Sequence, residues 1–174
     1  MSTTPHPPLV VVMGVSGCGK STVGAALAQR LGVPFADADE FHPAPNVTKM
    51  AAGVPLTDED RAPWLTTVAD WLAAHAGTGG VVSCSSLRRH YRDVLRGGAA
   101  HTVFLHLDGD RDVLAGRVTG RPGHFMPASL IDSQLATLEP LEPDEVGQTL
   151  DVAEPVDTLV DRAHRVVTSG APSS

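Results

Sequence analysis

The sequence predicts an α/β fold built on a parallel sheet of five strands with helices on both faces. Short apolar runs that suit strands alternate with longer stretches of helical spacing. A glycine-rich loop joins the first run to the first helical stretch, and polar residues follow the later runs. Alternation of this kind builds right-handed β-α-β units, whose ligands bind beyond the carboxyl ends of the strands. Functional residues are therefore expected directly after each strand.

The predicted elements follow from apolar spacing along the chain. The strands cover residues 9–13, 34–36, 81–84, 102–107 and 149–152. The helices cover residues 21–31, 46–52, 58–76, 87–96, 111–117, 127–138 and 156–166. A chain of 174 residues suits one domain over residues 1–174, with flexible tails at residues 1–8 and 169–174. Residues 40–76 form a long insertion that is expected to cover the acceptor side of the site.

The composition excludes several classes of function. A net charge of −7 leaves no basic excess with which to neutralise a nucleic-acid backbone. No apolar run approaches the length of a membrane span, and residues 1–8 lack the features of a secretory signal. The two cysteines, Cys18 and Cys84, are interpreted as reduced thiols. The composition predicts a cytoplasmic protein without nucleic-acid or membrane partners.

The first strand leads into a loop that fits the phosphate-binding pattern G-x-x-x-x-G-K-[ST]. Its glycines let successive backbone N–H groups point inward at an anion, and a helix beginning at Lys20 adds its positive dipole end. Lys20 is predicted to contact the β- and γ-phosphates of ATP, and the Ser21 hydroxyl to bind Mg²⁺. The predicted nucleotide-binding residues are Gly14, Val15, Ser16, Gly17, Cys18, Gly19, Lys20, Ser21 and Thr22.

Two carboxylates, Asp37 and Asp39, follow the second strand. One can hold Mg²⁺ through water while the other accepts a proton from an acceptor hydroxyl. Because no aspartate ends the third strand, Asp37 is the predicted Mg²⁺ partner and Asp39 the predicted base or positioning group. The alternative is a polar turn in which Asp39 caps a helix.

Basic residues follow the third and fourth strands. Arg88 and Arg89 either receive an anionic substrate or lie on a solvated helix face, and the second interpretation is favoured for Arg92 and Arg96. Glycines bracket Arg121 after the fourth strand. Residues 117–127 are predicted to form a lid that brings Arg117 and Arg121 onto the transferring phosphoryl group, the alternative being a loop with surface arginines.

The insertion contributes Lys49 and Arg61 in an otherwise acidic stretch. Arginine suits a carboxylate because it can bind it through two parallel hydrogen bonds. An ion pair with Asp58 or Asp60 is the competing interpretation of Arg61. Trp64 is predicted to belong to the core.

Three blocks of residues carry a resemblance to a known family. The first begins His42-Pro43-x-x-Asn46-x-x-Lys49-Met50 and ends Arg61-x-Pro63-Trp64-Leu65, the second is Cys84-Ser85-Ser86-Leu87-Arg88-Arg89-x-Tyr91-Arg92-Asp93, and the third joins His124-Phe125-Met126-Pro127 to Ser133-Gln134 and Leu138-Glu139-Pro140. With the phosphate loop, their order and spacing resemble bacterial gluconokinases over about residues 9–167.

The resemblance implies a three-layer α/β/α kinase fold close to that of shikimate kinase. It also implies phosphoryl transfer from ATP to the 6-hydroxyl of D-gluconate, and a homodimer. The catalytic residues would be Lys20, Asp39, Arg117 and Arg121. The substrate-binding residues would be Asp39, His42, Lys49, Arg61, Arg89 and His124. A kinase for another small anion such as shikimate, and a regulator that binds nucleotide without turnover, are the alternatives.

Overall fold

The computed structural model describes residues 7–15, 18–114 and 129–169. Five parallel strands form one sheet in the order β2-β3-β1-β4-β5. The strands are β1 (Leu9–Met13), β2 (Phe35–Asp37), β3 (Gly80–Ser83), β4 (Val103–Asp108) and β5 (Gly147–Asp151). The helices are α1 (Lys20–Leu31), α2 (Ala44–Ala51), α3 (Asp58–His75), α4 (Arg89–Gly98), α5 (Ser129–Thr137) and α6 (Val156–Thr168). The predicted α/β class with a parallel five-stranded sheet is confirmed.

The central strand β1 explains why its sequence is apolar without alternation. It pairs with β3 on one side and β4 on the other, and each of its residues is at most 1% exposed. A strand covered on both faces needs apolar side chains at every position. Helix α1 packs against α6, and α3 packs against α4. These two helix pairs cover the sheet, and the chain enters the phosphate loop at the carboxyl end of a strand that is buried at every position.

Several predicted boundaries differ from the observed ones by one or two residues. Helix α4 begins at Arg89, two residues later than predicted, because Ser86 has a φ of 48° and Arg88 is extended. Strand β5 begins at Gly147, two residues earlier than predicted. It pairs only with β4, and most of its residues are partly or fully exposed, so its sequence lacks an apolar run. Residues 111–114 are helical, at the edge of the described region.

Two sets of hydrogen bonds fix the first two turns of helix α3. Thr57 and Asp60 form a capping box in which each side chain accepts a hydrogen bond from the other's backbone N–H. One turn later, Trp64 donates its indole N–H to the carbonyl oxygen of Ala38 at 2.6 Å. Trp64 is 2% exposed, which confirms its predicted place in the core. The insertion is thereby fixed to the segment that follows β2.

Within the described ranges, no helix combines the length and apolarity that crossing a membrane requires.

Candidate active site

The phosphate loop is packed too closely for side chains at its first glycine. Gly14 has a φ of 144°, and a Cβ there would lie 2.6 Å from the carbonyl oxygen of Leu107 and 2.8 Å from Sγ of Cys18. Its N–H donates to the carbonyl oxygen of Ser85 at 3.2 Å. Gly19 precedes α1 with a φ of 91° and brings no side-chain cap to the helix N-terminus. The loop therefore joins a close backbone turn to a helix end suited to an anion. Ser16 and Gly17 lie outside the described residues.

The first turn of α1 meets the ends of β2 and β3. Ser21 donates its hydroxyl to Oδ2 of Asp37 at 2.8 Å, and its Oγ lies 3.4 Å from that of Ser83. Lys20 donates from Nζ to the carbonyl oxygen of Val15 at 3.3 Å, which places its ammonium across the loop. Hydroxyl and carboxylate oxygens are the ligands that Mg²⁺ prefers, so this oxygen cluster has the chemistry of a magnesium site.

The two aspartates after β2 take different positions. Oδ1 of Asp37 accepts the backbone N–H of Asp39 at 2.9 Å and caps a short 3₁₀ helix over Ala38–Phe41. The interpretation in which Asp39 is the capping residue is therefore wrong, because Asp37 makes the cap. Asp39 instead lies in the first turn of that helix and lines a cavity beside the phosphate loop.

This cavity, which we call the acceptor cavity, brings together residues that are far apart in sequence. Its charged and ionisable lining residues are Lys20, Asp39, His42 and Arg61. Its other lining residues are Met50, Val54, Pro55, Leu56, Trp64, Ser85, Leu87, Ser133 and Gln134. Four of the predicted site residues thus line the acceptor cavity. Two of these four, Lys20 and Arg61, are cations, and Ser85 and Ser133 add hydroxyl groups to the lining. No site role is predicted from the sequence for Ser133 and Gln134, whose only signal is their place in the third family block.

His42 is held by an aromatic stack and a hydrogen bond. Its ring lies 4.1 Å from that of Trp64 with 13° between the planes, and its Nδ1 lies 3.2 Å from Nδ2 of Asn46. Burial, reinforced by the positive charge of Arg61 and opposed by Asp37, lowers the pKa of His42 to about 4. His42 is therefore neutral at pH 7.

Arg61 is oriented through a tyrosine. Its Nη1 donates to the hydroxyl of Tyr91 at 2.9 Å, and that hydroxyl donates to Oδ1 of Asp58. The hydrogen bond from Tyr91 is the main reason that the pKa of the Asp58 carboxyl is lowered. Among the described residues Arg61 forms no direct ion pair with Asp58 or Asp60, and it lines the acceptor cavity.

Two of the predicted substrate-binding cations lie outside the lining of this cavity. Lys49 pairs with Asp60 at 2.7 Å, and the hydrogen bond from Lys49 is the main reason that the pKa of Asp60 falls to about 2. Arg89 binds Asp144 through two hydrogen bonds of 2.9 Å and contacts Asp93 at 3.1 Å. A substrate role for either cation stays a prediction. Arg117, Arg121 and His124, with the predicted lid, lie outside the described residues.

The position of Arg92 differs from the predicted one. A solvated helix face is predicted for it, but its side chain is fully buried. Its Nε and Nη2 donate to the two carboxylate oxygens of Glu145, which is itself buried, at 2.7 and 2.9 Å. The ion pair joins α4 to a segment 53 residues away, so that local charge pattern could not reveal it.

A second cavity of about 390 Å³ lies beyond the carboxyl ends of β4 and β5. It is lined by Asp108, Gly109, Asp110, Val113, Thr149, Leu150, Asp151, Val152 and Ala153. Its first lining residue directly follows Leu107, whose carbonyl group lies against Gly14. Residues of the acceptor cavity follow β2 and β3, the phosphate loop follows β1, and the second cavity lies beyond β4 and β5. The strand order β2-β3-β1-β4-β5 therefore places the phosphate loop between the two cavities.

Comparison with known sequences identifies the proteins that this chain resembles. The shikimate kinase family model matches residues 16–137. A gluconokinase from Gluconobacter oxydans is 54% identical over 141 residues, which cover 80% of this chain and 79% of that protein. The thermoresistant gluconokinase of Escherichia coli is 40% identical over 174 residues, which cover 98% of this chain and 99% of that protein.

Solved structures give the same relationship. A gluconokinase from Sinorhizobium meliloti superposes with a TM-score of 0.87 at 45% identity, covering 95% of this chain and 94% of that one. A sugar kinase from Janibacter sp. superposes with a TM-score of 0.88 at 52% identity, covering 95% and 96%. Shikimate kinase from Acinetobacter baumannii, at 18% identity and a TM-score of 0.62 over 95% and 96% of the chains, shares the fold.

Proposed function

The chain belongs to the gluconokinase family, and we propose that it transfers the γ-phosphoryl group of ATP to the 6-hydroxyl of D-gluconate. The products are 6-phospho-D-gluconate and ADP. The observation that carries this proposal is the acceptor cavity, whose lining includes Lys20 of the phosphate loop, Asp39 and Arg61. A kinase needs its phosphate-binding cation and its acceptor-positioning group in one space, because phosphoryl transfer is accelerated mainly by positioning and charge stabilisation.

The reacting atoms would meet between Lys20 and Asp39. The 6-hydroxyl oxygen bonds to the γ-phosphorus as the bond from that phosphorus to the β–γ bridging oxygen breaks. Asp39 accepts the hydrogen bond of the attacking hydroxyl and receives its proton directly or passes it to solvent. Lys20 neutralises charge that develops on the β- and γ-oxygens. In this assignment Asp39 acts by orientation as much as by basicity.

Mg²⁺ fits the oxygen cluster at Ser21, and we assign it there. Ser21 would bind the ion directly and Asp37 through water. The support is the 2.8 Å approach of the Ser21 hydroxyl to Asp37 and the nearby hydroxyl of Ser83. When bound, the ion supplies positive charge to the β- and γ-phosphates.

The adenosine part of ATP is assigned to the cavity beyond β4 and β5. That cavity lies on the side of the phosphate loop opposite the acceptor cavity, so a triphosphate on the loop would reach both. Its volume suits a nucleoside. This placement agrees with the rule that ligands of parallel sheets bind at the carboxyl ends of the strands.

The residues that line the acceptor cavity have the chemistry to bind a polyhydroxy acid. Arg61 can bind a carboxylate through two hydrogen bonds, and the neutral ring of His42 can bond a hydroxyl group. Ser85 and Gln134 add further polar groups, and Leu87 adds an apolar wall. From the family resemblance we also propose that Lys49, Arg89 and His124 contact the substrate, that Arg117 and Arg121 close over the phosphates from a lid at residues 117–127, and that the protein is a cytoplasmic homodimer.

The experiment that tests the function is ADP release from Mg²⁺ and ATP with a panel of acceptors. We expect turnover with D-gluconate and little with shikimate, glucose, gluconate epimers or AMP. Asp39→Asn should retain ATP binding and lose at least about 100-fold in kcat, since general acid–base and positioning groups contribute on that order. Turnover with another acceptor would refute the gluconate assignment. Nucleotide binding without turnover on any acceptor would refute the kinase assignment.

A further inference from the structure

We propose that Asn46 is a positioning residue that holds His42 in the tautomer with its proton on Nε2. His42 would then offer a single N–H donor to an oxygen of the acceptor. The proposal deepens the proposed function and rests on it for the identity of the acceptor. The tautomer itself follows from contacts in the protein alone.

The amide of Asn46 is oriented by a group that can only accept. Asn46 is 2% exposed, and its Nδ2 lies 2.9 Å from the backbone carbonyl oxygen of Asp60. A carbonyl oxygen has no hydrogen to donate, so the atom that faces it must be the amide nitrogen rather than the amide oxygen. This contact settles the orientation of the amide, which heavy-atom positions leave ambiguous.

The same nitrogen then determines which nitrogen of His42 is protonated. Nδ2 of Asn46 carries two hydrogens, and its second contact is Nδ1 of His42 at 3.2 Å. A ring nitrogen that accepts a hydrogen bond cannot carry a proton, so a neutral His42 must be protonated at Nε2. Nδ1 is occupied by Asn46, and the nitrogen left for a ligand is the donor Nε2.

The surroundings keep His42 in the neutral form to which this argument applies. Arg61 from α3 and Lys20 from α1 share the acceptor cavity with it, as does the carboxylate Asp39. Asp37 at the end of β2 favours the charged form of His42, and its attraction is outweighed by burial and by Arg61. The stack on Trp64 fixes the plane of the ring. The stack with Trp64 thus fixes the plane of the His42 ring, while burial and Arg61 keep the ring neutral. The contact with Asn46 determines its tautomer.

Such a donor selects among ligands by what it can bond. An Nε2–H group stabilises a hydroxyl or carboxylate oxygen and offers nothing to a ligand N–H or ammonium group. A polyhydroxy acid presents only oxygens, all of which can accept. Asn46 would therefore influence the affinity for the acceptor without touching it.

The direct test is ¹⁵N NMR of the imidazole nitrogens of the wild-type protein without substrate at pH 7. His42→Gln identifies the His42 signals by their disappearance. We expect a pyrrole-like shift at Nε2 and a pyridine-like shift at Nδ1. A proton on Nδ1, or an equal mixture of tautomers, would overturn the proposal. This readout needs no turnover, so it stands apart from the test of gluconate as substrate.

Asn46→Ala gives the second test, with Val47→Ala, an exposed neighbour on α2, as its matched control. The alanine at position 46 frees Nδ1, so the tautomers should mix and the KM for gluconate should rise about 3- to 10-fold, the loss expected for one neutral hydrogen bond. kcat should change less than twofold. His42→Gln, which keeps an amide N–H near the place of Nε2, should retain more affinity than His42→Ala. Unchanged tautomer populations in Asn46→Ala would overturn the proposal even if KM changed.

Discussion

The hydroxyl of Ser21 donates a 2.8 Å hydrogen bond to Oδ2 of Asp37, which joins the first turn of α1 to the end of β2. The other oxygen of Asp37 accepts the backbone N–H of Asp39 and orients the short helix that carries it. One carboxylate therefore couples the phosphate-binding helix to the residue that is assigned to the acceptor hydroxyl. A change at Asp37 is expected to affect both.

We expect Asp37→Asn to weaken the response to Mg²⁺. The amide can still accept from Ser21, but it lacks the negative charge that attracts a hydrated cation. Changes to groups that orient metal ligands typically cost about 10- to 100-fold in metal affinity. The Mg²⁺ concentration for half-maximal ADP release should rise by that factor, with a smaller change in the KM for gluconate. Asp161→Asn, at an exposed ion pair with Arg30, is the control. An unchanged Mg²⁺ dependence would remove Asp37 from the metal site.

Gly14→Ala should abolish nucleotide binding and lower stability. The new Cβ would meet a backbone carbonyl at 2.6 Å, and the φ of 144° is unfavourable for any residue with a side chain. Strained backbone of this kind costs on the order of 1–3 kcal/mol. Isothermal titration with ATP and thermal unfolding measure the two effects. Gly77→Ala is the matched control, because a Cβ there meets nothing within 4 Å. Normal ATP binding by Gly14→Ala would show that the loop can move away from Leu107.

The parts of the structure that could be predicted are those whose cause is local. The strand Leu9–Met13 was predictable because burial on both faces demands a continuous apolar run, and the phosphate loop because its pattern is contiguous. The buried ion pair of Arg92 with Glu145 has no local signal, since its partner lies 53 residues away. The positive φ of Ser86 likewise belongs to the packing around it.

The residues of the acceptor cavity also include some that local sequence could predict and some that it could not. Asp39 is predictable because it follows a strand directly, at the edge of the sheet where ligands bind. Ser85 and Gln134 come from segments about 50 residues apart, and only the fold brings them together. The pairing of Arg89 with Asp144 could not be foreseen either, because a basic residue in a sequence does not reveal which carboxylate it will meet.

Arg61→Ala should raise the KM for gluconate by about 10- to 100-fold, since a hydrogen bond to a charged group contributes about 1.5–3 kcal/mol. kcat should fall less than KM rises, because Arg61 is assigned to the carboxylate end of the substrate. Tyr91→Phe removes the hydroxyl that orients Arg61 and should raise KM by about 2- to 10-fold. Arg30→Ala, at a surface ion pair, should leave KM unchanged. Equal KM values for Arg61→Ala and the wild type would exclude Arg61 from substrate binding.

The buried carboxylate of Glu145 accepts several hydrogen bonds. Its Oε1 accepts from Arg92 and Arg96 at 2.7 Å each, and its Oε2 accepts from Arg92 and from the backbone N–H of Glu142 at 2.9 Å each. Arg92 also donates to the carbonyl oxygen of Ser86 at 2.9 Å, which holds the loop between β3 and α4. Burial opposes ionisation of Glu145, but the hydrogen bonds from Arg92 and its neighbours hold the pKa of this carboxyl below its usual range. The network is therefore expected to support both stability and the position of Ser85 in the acceptor cavity.

Glu145→Gln should destabilise the protein by about 3–5 kcal/mol at pH 7, because it leaves the guanidinium of Arg92 buried without a counter-ion. The carboxyl has a lower pKa folded than unfolded, so its contribution to stability is present above about pH 4.3, the usual value for glutamate, and is lost as the pH falls through the folded value. The difference between wild type and variant in denaturant unfolding should accordingly be full at pH 7 and shrink below about pH 4.3. Asp144→Asn, which removes an exposed partner of Arg89, should change stability little at either pH. Equal stability of Glu145→Gln and wild type at pH 7 would mean that the carbonyl groups around Arg92 suffice to hold its charge.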